Sequence, residues 1–78
     1  MSSKETLEFI VSYLVDKPDE ARVEEDISGR SVIYDVIVDP DDVGKVIGRN
    51  GRIARALRTV VKAAAAREDR NVVVEILD

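Results

Sequence analysis

Residues 44–53 read Gly44-Lys45-Val46-Ile47-Gly48-Arg49-Asn50-Gly51-Arg52-Ile53, and two of the glycines bracket one cation and one amide. Glycine has no Cβ, so a loop built on Gly48 and Gly51 can adopt left-handed dihedrals and lie close against another backbone. Arg49 brings a planar fork of donors suited to phosphate oxygens, and Asn50 brings a donor and an acceptor or caps the next helix. Lys45 and Arg52 flank the loop. An amphipathic pattern opens directly after it, so the loop should sit at a helix N-terminus, where unpaired amides and the positive end of the dipole favour an anion. The chemistry on offer is a grip on a phosphodiester. The plainer alternative is that Gly48 and Gly51 only end one helix and start another.

Other chemistries are poorly supplied. The chain has no His, which removes the commonest general base and metal ligand, and no Cys, which removes disulfides and thiolate sites. Neither G-x-x-x-x-G-K-[S/T] nor G-x-G-x-x-G occurs. Asp39, Asp41 and Asp42 cluster without a ligand loop around them and read as helix-start acids. The reading is therefore non-enzymatic, with no catalytic residue, metal or cofactor.

Charge is unevenly spread. The net charge of −4 and pI of about 4.8 are unlike those of most nucleic-acid binders. Residues 1–44 hold 4 basic and 12 acidic side chains, a local −8. Residues 45–67 hold Lys45, Arg49, Arg52, Arg55, Arg58, Lys62 and Arg67 with no acid, a local +7. One region attracts phosphate while the rest repels it. The bland reading of the basic stripe is a solvated helix face.

The elements that must hold the loop follow from periodicity. Leu7, Ile10, Val11 and Leu14 mark a helix over 4–16, with Ser2 and Glu5 as a capping box and Pro18 past its end. Ala21, Val23 and Ile27 alternate as the inner face of a half-buried strand that Glu25 interrupts. Ser28-Gly29-Arg30 is a hairpin turn, and the more apolar 31–38 is the central strand. Asp39-Pro40-Asp41-Asp42 starts a short helix over 40–47. A longer helix over 51–67 turns Ile53, Leu57, Val60, Val61 and Ala64 inward and Arg52, Arg55, Arg58 and Lys62 outward. Residues 71–77 form a last strand, which a two-helix crossover places parallel to its neighbour. With 78 residues this is one domain, 1–78, with a small core. The polar opening Met1-Ser2-Ser3-Lys4-Glu5 is unlike a signal peptide, and no apolar run is long enough to span a membrane, so a cytoplasmic protein is expected.

The run from Gly44 to Gly51 resembles the G-x-(V/I)-I-G-x-x-G signature of KH domains. Many of these carry an isoleucine three residues after the last glycine, whereas Ile53 comes after two. The resemblance extends over nearly the whole chain: the order αββααβ is that of the α+β type II KH fold, with a mixed three-stranded sheet and helices on one face. With the run Arg58-Thr59-Val60-Val61-Lys62-Ala63-Ala64-Ala65-Ala66, the chain looks like the small bacterial single-KH family KhpA. That resemblance implies single-stranded RNA held by Gly44, Lys45, Ile47, Gly48, Arg49, Asn50, Gly51 and Arg52. Ile47 would wall a narrow apolar groove for bases, and Gly44 would allow tight packing. It implies a post-transcriptional regulator or RNA chaperone that pairs with itself and with the larger KH protein KhpB (EloR or Jag). The alternatives are an adaptor whose main task is that pairing, and a binder of single-stranded DNA. The alanines near the end of the long helix let a second helix approach closely, which puts Thr59, Lys62, Ala63 and Ala66 at a two-fold contact. No membrane and no small-molecule substrate is expected.

Overall fold

The structure, a computed structural model, describes residues 1–77. Helix α1 spans Ser3–Leu14. Its Ser2 cap accepts from the Glu5 N–H at 3.1 Å while the Ser2 N–H donates to Glu5 Oε1 at 3.0 Å, the capping box expected from those two residues. Pro18 does more than follow the helix: it opens a 3-10 turn over Pro18–Glu20. Strands β1 (Arg22–Ser28) and β2 (Ser31–Ile37) form an antiparallel hairpin that pairs Ser28 with Ser31, so Gly29 and Arg30 alone make the turn, with Gly29 at φ +60.

After β2, Asp39 accepts from the Asp41 N–H at 2.9 Å and caps a 3-10 turn over Pro40–Asp42. The single short helix expected over 40–47 is therefore divided into this turn and α2, Val43–Ile47. A second 3-10 turn, Arg49–Gly51, leads into α3, Arg52–Arg67, and β3 (Asn71–Leu77) closes the chain of elements. The sheet order is β1-β2-β3, with β2 central and parallel to β3. This is the mixed sheet and αββααβ order of a type II KH fold.

Alternation along the strands sends one face to the helices. Val23, Val32, Tyr34, Val36, Val72 and Val74 pack against Leu7, Val11, Leu57, Val61 and Ala65. Tyr34 is 3 % exposed, and its hydroxyl is satisfied by Ser3 Oγ at 2.6 Å. Truncating a fully buried aliphatic such as Leu7 costs about 2–5 kcal/mol in cores of this kind. The inner face does not run the length of β1. Glu25 and Ile27 point to the helix side but lie past the end of the helical layer, and Ile27 is 49 % exposed. The expectation that Ile27 is core fails for that reason.

The opposite face of the sheet is open. Glu24, Asp35 and Glu75 lie in register across the three strands, beside exposed Ile33 and Val73. Three like charges side by side cost stability. They make the sheet the acidic pole of the molecule.

Candidate nucleic-acid interface

The loop shape follows from three backbone conformations. Gly48 sits at φ +78, ψ 172, Asn50 at φ 57, ψ 25, and Gly51 at φ +73, ψ 17. Asn tolerates the left-handed region better than other non-glycine residues. A Gly44 carbonyl to Gly48 N–H bond at 2.9 Å ends α2, and Gly51 N–H donates to Gly48 O at 3.1 Å. Among the described residues no side chain caps α3, Asn50 included. The Arg52 N–H donates to Arg49 O, and the amides that follow it in the first turn of this sixteen-residue helix have no side-chain acceptor among the described residues, which suits them to an anion.

Arg49, Asn50 and Arg52 are exposed around these amides, and Ile47 and Gly48 are half-buried beside them. Among the described residues, Arg49, Arg52, Arg55 and Lys62 have no carboxylate partner, whereas Lys17, Arg22, Arg30 and Lys45 do. Lys4 and Arg70 are also without an ion pair among the described residues, but most of the cations without a carboxylate partner lie on the loop and on α3.

Lys45 departs from expectation. Its Nζ lies 3.2 Å from Asp16 and 3.3 Å from Asp42, and these two carboxylates hold its pKa above the ordinary value. Its charge is engaged inside the molecule. Asp42 is the centre of that arrangement. It is 1 % exposed and accepts the backbone N–H groups of Asp16 (3.3 Å) and Lys17 (3.0 Å). Burial alone would push its carboxyl up. The two N–H groups and the Lys45 ammonium outweigh burial, and the pKa falls below the usual value. Asp42 therefore ties the start of α2 to the segment after α1 and fixes the platform from which the loop projects.

Gly44 is a second departure. A Cβ there would meet nothing within 4 Å, so this glycine does not serve close packing inside the chain. It leaves open surface along the exposed side of α2, next to the loop.

Helix α3 has two different flanks. Ala54, Leu57, Val61 and Ala65 are its buried residues, which places the core line one position away from the expected Ile53, Val60 and Ala64. Val60 is 46 % exposed. With Ile10, Leu14, Ile53 and Ala56 it lines an open apolar groove of about 240 Å³ between α1 and α3. The other flank holds Arg55, Arg58 and Lys62 on the helical period. Arg58 does not simply face water as expected. It is half-buried, and its Nε donates to the carbonyl of Val74 on β3 at 3.2 Å. Thr59, Ala63 and Ala66 are exposed on the crest between the two flanks, and Lys62 is exposed on the Arg55 flank.

The profile of the KhpA/KhpB KH domain matches residues 4–76. The chain belongs to this KH family. Curated proteins of similar sequence carry the name "RNA-binding protein KhpA". One from Clostridium perfringens is 54% identical over 74 residues, covering 95% of this chain and 99% of its own length. One from Halalkalibacterium halodurans is 49% identical over 75 residues, with 96% and 99% covered. One from Streptomyces coelicolor is 53% identical over 64 residues, with 82% and 81% covered. No solved structure gives a significant match.

In this KH domain, then, the loop Gly48–Gly51, Ile47 and Arg52 come together as expected, and Gly44 adjoins them. Lys45 adjoins them with its charge already paired. Arg58 and Val60 were absent from the expected site and contact residues. Their signals, a main-chain carbonyl on a distant strand and a groove formed with α1, arise only from tertiary contacts.

Proposed function

We propose that this chain binds single-stranded RNA without catalysis, holding the sugar-phosphate backbone at Gly48–Gly51 while bases lie along the surface between α3 and the free edge of β3. The observation that carries this reading is the glycine-framed loop at the N-terminus of α3, which has no side-chain cap and is flanked by exposed Arg49 and Arg52 without carboxylate partners among the described residues. Ile47 supplies apolar wall, and Gly44 leaves room for the strand. The acidic row Glu24, Asp35 and Glu75 repels nucleic acid from the far face, so encounter is directed to one side. The names of the curated relatives agree with the reading, as does the KH family itself. In the cytoplasm such a module acts as a post-transcriptional regulator or RNA chaperone.

The test replaces Arg49 and Asn50 together by Asp. Both are exposed, so the thermal midpoint should stay within a few degrees while RNA affinity collapses by charge repulsion. Unaltered affinity for single-stranded RNA would falsify the assignment.

A second reading, pairing with another KH protein, is favoured by the apolar groove beside Val60. A second α3 laid there buries Val60, Ala56 and Ile53 together with Ala63, giving a homodimer, or a heterodimer with KhpB. Thr59 and Ala66 then lie at the margin of the contact, and Lys62 lies on the side proposed to face RNA. The two readings are compatible where they use different flanks of one helix, and Arg52, which also lines the apolar groove, is the residue they share.

A further inference from the structure

We infer that Arg58 reads one base of the bound strand and favours a base that presents two adjacent acceptors. Cytosine offers O2 and N3, and guanine offers O6 and N7. The inference rests on the RNA-binding reading above and adds the residue that sets its specificity.

The argument starts from the edge of the sheet. The Asn71 N–H donates to Arg30 O at 2.9 Å, toward the side of β2. Main-chain groups alternate along a strand, so those of Val72, Val74 and Ile76 point out of the free edge of β3. The Val74 carbonyl is the one that Arg58 Nε occupies. A guanidinium has five N–H donors in a rigid plane. The bond from Nε uses one and fixes that plane at the strand edge. The two Nη groups are left as a fork with no carboxylate partner among the described residues.

Arg58 thereby differs from the other cations on α3. Arg52, Arg55 and Lys62 are exposed and suit contacts to phosphate, which carry no sequence information. Arg58 is half-buried and lies six residues beyond Arg52, about 9 Å along the helix axis. A strand gripped at the loop brings its neighbouring bases to this position. Two parallel N–H groups match two neighbouring acceptors. Uracil presents N3–H between its carbonyls, and adenine places an amino group beside both N1 and N7, so each sets a donor against the fork.

The experiment measures anisotropy with labelled oligouridine and with the same oligonucleotide carrying one central cytidine or one central guanosine. The wild type should bind at least one substituted strand more tightly by about fivefold or more, the lower bound for a bidentate contact. Arg58→Lys keeps the charge but has no fork. It should bind oligouridine within about twofold of wild type and lose the discrimination. In the wild type, the Arg58 Nε–H resonance should shift with the substituted strand and stay in place with oligouridine, a readout that needs no variant. Equal affinity of the wild type for all three strands overturns the inference and leaves the RNA reading standing. Discrimination that survives in Arg58→Lys overturns the assignment to this residue. Absence of binding to any strand overturns both readings.

Discussion

The side chain of Ile53 occupies the space that a Cβ on Gly48 would need: the distance would be 2.7 Å to Cγ1 and 3.0 Å to Cβ and Cδ1. The first turn of α3 is thus packed over the loop it follows. Gly48 also sits at φ +78, where a side chain is strained in any surroundings. Gly48→Ala should therefore lower stability by about 1–3 kcal/mol, and RNA binding with it. A thermal melt of the variant checks this. Gly51→Ala should cost less, because its Cβ would meet only Arg55 Nη1 at 3.8 Å, although φ there is +73.

Gly44→Ala should have opposite effects on stability and binding. Its Cβ would point into open space within helix α2, so the change should stabilise by up to about 1 kcal/mol through helix propensity. The same methyl group would stand where we place the RNA strand, and affinity should fall. Denaturant titration and anisotropy on one sample decide the point. A variant that gains stability and keeps full affinity removes Gly44 from the interface.

Acid should loosen the platform beneath the loop. The Asp42 carboxyl has a lower pKa folded than unfolded. Its contribution is therefore present above the unfolded value, about 4, and is lost as pH falls through the folded value. Glu5 and Glu68 are shifted in the same direction, by hydrogen bonds from Ser2 and from Ser3. Stability measured across pH 2–6 should decline in acid for the wild type and more gently for Asp42→Asn, which is less stable at neutral pH. Parallel curves would show that Asp42 does not titrate with unfolding.

Val60→Glu should convert a dimer to a monomer without unfolding it, because Val60 is already about half exposed in one chain. Its own stability should change by no more than about 0.5 kcal/mol. Ala63→Glu should act in the same sense, and Lys62→Glu should leave the dimer in place while weakening RNA binding. Sedimentation equilibrium of the four proteins distinguishes these outcomes. A wild type that remains monomeric leaves only pairing with a different KH protein.

Much of this was legible in the sequence. The order αββααβ, the central β2, the Ser2–Glu5 box and the loop glycines all arise from local rules, and they are present in the structure. The residues that escaped did so for identifiable reasons. On α3 two apolar sectors adjoin, Ala54, Leu57, Val61 and Ala65 against Ile53, Val60 and Ala64. Hydrophobicity ranks Ile and Val above Ala, so the larger residues drew the expected core line toward themselves. In the structure the small Ala54 and Ala65 are the residues turned inward. Lys45 read as a free cation because its partner Asp16 lies 29 residues earlier, beyond the range of any local pattern. Arg58 read as solvent-facing because its acceptor belongs to a strand 16 residues later.

The parallel pairing of β2 with β3 has a consequence for how the molecule assembles. Ser31 is matched to Asn71 and Ile37 to Leu77, a constant separation of 40 residues. The short helix α2, the long helix α3 and the entire glycine loop are strung inside that span. Contacts this distant in sequence must meet the entropy of closing a long loop before they return any stability, and they slow folding. The hairpin of β1 and β2 can form early from neighbouring residues, whereas the third strand has to find its place after the crossover has collapsed. The loop proposed to hold RNA is framed only once β3 has docked, so substitutions in β3 that weaken this pairing should weaken binding while leaving every residue of the loop untouched.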